Sequence, residues 1–131
     1  MRNRRRSVLI AENNRALATR LRDNLEHAGF QVLLAGDGEQ AAILAARQRF
    51  DLIITNLDLP MMTGAELCRH VREDLQLTEV PIAICATPGQ EADAGQLVVT
   101  FGIASVFYKP IDDEAVVAFA SEVMGHRLAV A

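Results

Sequence analysis

The residues able to do chemistry in this chain stand just beyond short apolar runs. Glu12-Asn13 follow Ser7 to Ala11, and Asn56 to Asp58 follow Leu52 to Thr55. Ala86-Thr87 follow Ile82 to Cys85, and Lys109-Pro110 follow Ser105 to Tyr108. Carboxylates and an ammonium group are what hold hard cations and phosphate oxygens. Asn56 is the residue of most interest, because it sits at the centre of these segments and is an amide. The nitrogen lone pair of an amide is delocalised into its carbonyl, and the oxygen carries no full charge, so Asn56 is no nucleophile. The other reactive side chains point nowhere in particular. Cys68 and Cys85 have no metal-ligand spacing and are expected as buried, reduced thiols. His27 and His126 fall near helix ends and His70 within a helix, and no Ser or Cys partner makes a hydrolase triad with any of them.

The elements that must position these residues alternate five times between strand and helix patterns. Strands are predicted at Ser7–Ala11, Gln31–Ala35, Asp51–Thr55, Ile82–Cys85 and Ser105–Tyr108. Asn13 or Asn14 can cap the first helix, in which Leu17, Leu21 and Leu25 recur every four residues and which Gly29 ends. Gly36-Asp37-Gly38 turns into an Ala-rich second helix. Thr63 and Glu66 have capping-box spacing for the third, whose apolar side includes Leu67 and Val71. Pro88-Gly89 breaks the chain before a fourth helix with Ala94, Leu97, Val98 and Phe101 on one stripe. Gly95 inside it makes it the least stable of the helices. Asp112 caps the last, where Val116, Phe119, Ala120 and Val123 face inward. Unbroken apolar strands joined by helices imply a parallel sheet buried on both faces, an open α/β three-layer sandwich. Ligands of such folds bind beyond the carboxyl ends of the strands, where the four segments above lie.

Composition bounds the rest. The 131 residues suit one domain, expected over 7–124, with a basic tail at 1–6 and a short tail at 125–131. The chain ends soon after Met124, so no attached output domain is expected. Aromatic residues make up 5% and Trp is absent, so Leu, Ile, Val and Ala must build the core. A net charge of −4 argues against nucleic acid as a partner, and Arg2, Arg4, Arg5 and Arg6 read as a solvated end. No apolar run approaches the ~18 residues of a membrane span, and none fits a signal peptide, so the expected location is cytoplasmic.

Over Ser7 to about Met124 the chain resembles a bacterial response-regulator receiver domain. The third-strand segment Asn56-Leu57-Asp58-Leu59-Pro60 with Gly64, the Lys109-Pro110 pair and Gly102 carry the resemblance. It implies a flavodoxin-like, CheY-like (βα)5 fold with strand order 2-1-3-4-5. It also implies positions. The acidic pair that helps hold Mg²⁺ falls on Glu12 and Asn13, and the phosphoacceptor aspartate on Asn56. The hydroxyl that binds the new phosphoryl oxygen falls on Ala86, with Thr87 adjacent, and the rotating aromatic on Val106. Only Lys109-Pro110 stands as the family has it.

A receiver site with three carboxylates and one lysine carries two excess negative charges, which a hard dication neutralises. Here Glu12 and Lys109 cancel before any metal binds. Lys109 is therefore expected to pair with Glu12 and to donate to the Asn56 amide oxygen, Mg²⁺ binding to be very weak, and phosphoryl transfer not to occur. The resulting reading is a non-enzymatic, cofactor-free pseudo-receiver in two-component or phosphorelay signalling. Its partners would be a kinase, an output domain or a second copy, met through the fourth helix, fifth strand and fifth helix. The alternatives are an active receiver that uses Asp58 as acceptor, and a flavodoxin-like ligand binder. The loop Glu12-Asn13-Asn14-Arg15 lacks the Ser, Thr and Gly that a flavin phosphate wants.

Overall fold

A computed structural model describes residues 5–125. The basic residues Arg2 and Arg4, and His126 and Arg127 of the C-terminal tail, lie outside the described residues. Strand and helix alternate as the apolar pattern demands: β1 (Ser7–Ala11), α1 (Arg15–His27), β2 (Gln31–Ala35), α2 (Gly38–Arg47), β3 (Leu52–Asn56), α3 (Gly64–Arg69), β4 (Ile82–Ala86), α4 (Glu91–Phe101), β5 (Ser105–Tyr108) and α5 (Asp113–Met124). All neighbouring strands are parallel, in the order β2-β1-β3-β4-β5. Both β3 and β4 run one residue further than the sequence pattern indicates, so Asn56 and Ala86 are the last residues of their strands.

Every residue of β3 and β4 is buried, because helices cover both faces of the sheet. Strand periodicity divides the core in two. Val8, Ile10, Leu52 and Ile54 pack with Leu17, Leu21 and Leu25 of α1 and Val116, Ala120 and Met124 of α5. Leu9, Ile53, Ile82 and Ile84 face the other way, onto Ala41, Ala42 and Ala45 of α2, Leu67, Cys68 and Val71 of α3, and Leu97 of α4. The small residues of α2 let that helix sit close to the sheet. An edge-to-face pair, Phe107 with Phe119 at 5.6 Å and 73°, ties β5 to α5.

Capping follows the sequence. Asn14 rather than Asn13 caps α1, Asp37 caps α2 and Asp112 caps α5. Thr63 and Glu66 form the full capping box on α3. That helix continues as a π-helical turn over His70–Asp74, which periodicity did not reveal. Arg5 and Arg6 depart from the solvated-tail reading. Arg5 Nε donates to Gly29 O at 3.4 Å, and Arg6 pairs with Asp51, whose other oxygen accepts from Ser7 N.

The apolar stripe of α4 is only partly covered, and one inward assignment on α5 needs correction. On α4 only Ala94 and Leu97 are buried; Val98 is 37% exposed and Phe101 half-buried, because α4 meets the sheet along a narrow stripe. On α5, Phe119 and Val123 only flank the core and Met124 takes the buried position one turn after Ala120.

Two glycines give opposite expectations for one substitution. A Cβ on Gly64 would overlap the Asn56 carbonyl oxygen and crowd Leu57 Cα, so Gly64→Ala should lose about 2 kcal/mol. A Cβ on Gly95 meets nothing, and Gly95→Ala should gain about 0.5–1 kcal/mol through helix propensity alone. Urea unfolding of the two variants beside the parent checks both signs.

Candidate functional site

Each candidate residue is set in place by a backbone bond to the next strand. Glu12 N donates to Ala35 O at 3.1 Å, Leu57 N to Cys85 O at 2.9 Å, and Lys109 N to Ala86 O at 2.8 Å. The ends of β1, β3, β4 and β5 therefore arrive level, and Asn56 stands opposite Cys85 in the ladder. The Lys109–Pro110 peptide bond is cis.

Glu12, Asn13, Asn56, Asp58 and Lys109 meet at this pole. Glu12 is 4% exposed and Asn56 7%. Lys109 Nζ lies 3.3 Å from Glu12 Oε1, the ion pair that charge balance calls for. The contact is electrostatic only, since Oε1 accepts no hydrogen bond. Glu12 Oε2 is better served, accepting from Asn14 N at 2.9 Å and from Asn56 Nδ2 at 3.2 Å.

The amide of Asn56 is turned differently from expectation. Its nitrogen, not its oxygen, is the engaged atom. Nδ2 donates to Glu12 Oε2, to Asn13 Oδ1 at 3.1 Å and to the Asp58 carbonyl at 3.0 Å. The expected bond from Lys109 to the Asn56 oxygen is not among those formed by the described residues. Flipping the amide would aim its oxygen at three acceptors, so the hydrogen bonds decide the orientation. Lys109, meanwhile, is drawn to the full charge of Glu12 rather than to a neutral carbonyl.

This arrangement suits a divalent cation poorly. The oxygens that resemblance would place around Mg²⁺ are already gathered by an amide nitrogen, and the one buried carboxylate is neutralised by Lys109. No group of three or more His, Cys, Asp or Glu side chains that could hold a metal occurs among the described residues.

The switching positions are also placed. Ala86 is fully buried and offers no hydroxyl. Thr87 is exposed and its hydroxyl donates to Gln90 Oε1 at 3.0 Å, so it does not reach into the pocket. Val106 is half-buried and packs against the core under α2, α3 and α4, as an ordinary strand residue would. The Asp58 carboxylate is exposed and accepts from Gln90 Nε2 at 2.8 Å. Burial pushes the Cys85 thiol up to about 12, with Glu12 adding to the rise and Lys109 opposing it, and burial does the same to Cys68 against a smaller opposing effect of Arg72. Neither cysteine is a nucleophile at neutral pH.

Sequence reasoning missed Gln90 and Arg72. Gln90 occupies the N-cap of α4, where Ser, Thr, Asp or Asn is preferred. That mismatch was the available signal. Arg72 donates to three carbonyls, Phe101 O and Leu77 O at 2.9 Å and Val80 O at 2.8 Å, and nothing in its sequence surroundings marked it.

The family model for the response regulator receiver domain matches residues 8–121. A response regulator receiver protein of Anaeromyxobacter sp. (strain Fw109-5) is 32% identical over 106 residues, covering 81% of this chain and 43% of the relative. The DNA-binding dual master transcriptional regulator RpaA of Synechocystis sp. is 32% identical over 111 residues, covering 85% and 46%. The chain thus spans about half the length of the curated relatives it matches. Among solved structures, the chemotaxis response regulator CheY4 of Vibrio cholerae superposes with a TM-score of 0.82 at 28% identity, over 92% of this chain and 99% of that one.

Removing Lys109 should leave the Glu12 carboxylate buried without a counter-charge. The lysine side chain is 26% exposed, which tempers the effect, so Lys109→Met should cost about 2 kcal/mol. Pairing it with Glu12→Gln should restore most of that loss, and denaturant unfolding of the four proteins in the cycle measures the recovery.

Proposed function

Because this chain belongs to the response regulator receiver family, we propose that it is a pseudo-receiver. It takes part in two-component signalling through protein contacts, without being phosphorylated. Receiver domains interact with kinases and output domains, and this one keeps the fold through which they do so. The observation that carries the proposal is the Asn56 amide nitrogen, bonded at once to Glu12, Asn13 and the Asp58 carbonyl. An amide in that position removes the nucleophile. It also does by hydrogen bonding what a cation does elsewhere by coordination, namely hold three oxygens together.

The protein on this reading is not an enzyme, works in the cytoplasm and binds Mg²⁺ very weakly. The face offered to partners is that of α4, β5 and α5. Val98, Val99 and Tyr108 are exposed there, Val99 by 86%. A kinase, an output domain or a second copy would meet these apolar side chains among the exposed carboxylates of Glu91, Asp93, Glu114 and Glu122. The alternative acceptor, Asp58, is poorly placed for the chemistry. Its carboxylate is exposed and bound to Gln90, while only its backbone carbonyl turns to the pocket.

Two experiments test the proposal. Incubation with acetyl phosphate and Mg²⁺, followed by intact-mass measurement, should show no added phosphoryl group; a phosphoryl mass mapping to Asp58 would establish an active receiver instead. Asn56→Asp should place a second carboxylate against three oxygens with no donor between them, costing about 2 kcal/mol in chelator. Millimolar Mg²⁺ should raise the melting temperature of that variant and leave the parent unchanged. A parent that is stabilised by Mg²⁺ to the same degree defeats the cation-free site.

A further inference from the structure

Gln90 begins α4, yet its side chain caps nothing in that helix. Its Nε2 donates to Asp58 Oδ2 at 2.8 Å. Its Oε1 accepts from Thr87 N at 2.7 Å and from the Thr87 hydroxyl at 3.0 Å. One side-chain amide therefore joins the loop after β3 to the loop after β4. The Asp58 carbonyl in turn accepts from Asn56, which holds Glu12, which pairs with Lys109. A connected polar path runs from the end of β5 to the start of α4.

The helix that this path reaches is otherwise held weakly. Only Ala94 and Leu97 of α4 are buried, and the space beside Gly95 is open. At the other end Arg72 Nε donates to Phe101 O, the last carbonyl of the helix. Polar side chains at the two ends do much of what apolar packing does for α1 and α5.

We infer that Gln90 is a latch that fixes the start of α4 from within the chain, and that opening it loosens that helix. The latch needs no phosphoryl group, because the carboxylate of Asp58 and the Thr87 backbone are its two anchors. Its purpose, setting the shape of the partner-facing surface, rests on the function proposed above.

Hydrogen exchange of the full chain, with neither phosphodonor nor partner present, tests it. Gln90→Ala and Asp58→Ala should each speed exchange roughly tenfold across residues 89–97, leaving β1 and β3 protected. The double variant should exchange no faster than Gln90→Ala alone, since that change already removes the bond to Asp58 along with those from Thr87. Asp58→Asn keeps an acceptor for Gln90 and should stay close to the parent. Gln90→Glu, which sets a carboxylate against Asp58, should open the helix start while preserving side-chain size. It decides the matter if Gln90→Ala loses protection in β1 and β3 as well. Unchanged exchange at 89–97 in Gln90→Ala or Gln90→Glu, or effects that multiply in the double variant, would overturn the latch. Phosphoryl labelling would sink the functional reading and leave the latch in place, and unchanged exchange would do the reverse.

Discussion

Burying the Glu12 carboxylate, with 4% of the residue exposed, costs several kcal/mol unless opposite charge and hydrogen bonds replace the lost water. The replacement comes from three separate parts of the chain. Lys109 supplies charge from the end of β5, Asn56 supplies an N–H from the end of β3, and Asn14 supplies a backbone N–H from the start of α1. None of these helps unless the strand ends arrive level, which the parallel register and the bonds to Ala35, Cys85 and Ala86 bring about. Architecture and site are in this sense one problem, and the carboxylate couples them.

The same group sets the charge balance of the pocket. The one buried carboxylate and the lysine cancel, which leaves only the exposed Asp58 carboxylate as excess negative charge to draw in a dication. The Asn56 amide can therefore turn its nitrogen inward, which it could not do beside a cation. Once turned, it draws in the Asp58 carbonyl and so fixes the start of the loop after β3. Gly64 lets that loop close, because its α-carbon lies against the Asn56 carbonyl where any side chain would collide. The result is a site whose polar groups largely satisfy one another within the chain.

Stability is spread unevenly around this pole. α1 buries Leu17, Leu21 and Leu25, and α5 buries Val116, Ala120 and Met124, each a continuous stripe against the sheet. α4 buries two residues and leaves Val98 and Val99 in solvent. A helix with so little apolar attachment depends on its ends, and both ends of α4 are tied to side chains from elsewhere, Gln90 to Asp58 and Phe101 to Arg72. The partly buried Arg72 guanidinium is held below its ordinary range by desolvation, with Cys68 and Glu79 opposing that shift. The element that carries the exposed apolar face is thus also the one fixed least by the core.

Much of this was legible in the sequence, for identifiable reasons. Strand and helix periods, Asp37, Thr63 with Glu66, and Asp112 determined the elements and their starts, because periodicity and capping are local. The apolar runs ending in Asn56 and Lys109 placed the site at the carboxyl ends of the strands, and residue types alone dictated its neutral charge balance. What the sequence did not decide was direction. Whether the Asn56 nitrogen or oxygen turned inward depended on three oxygens brought from the loops after β1 and β3. Helical spacing puts Val98 on one stripe with Ala94 and Leu97, yet only the seating of α4 on the sheet determines which part of that stripe is covered. Arg72 carries no local signature and Gln90 only the wrong residue type for an N-cap, since a hydrogen bond across 29 or 32 residues has no period to betray it. Local pattern determined where this chain bends and which residues share a pole; only the packed sheet decided which atoms of those residues face one another.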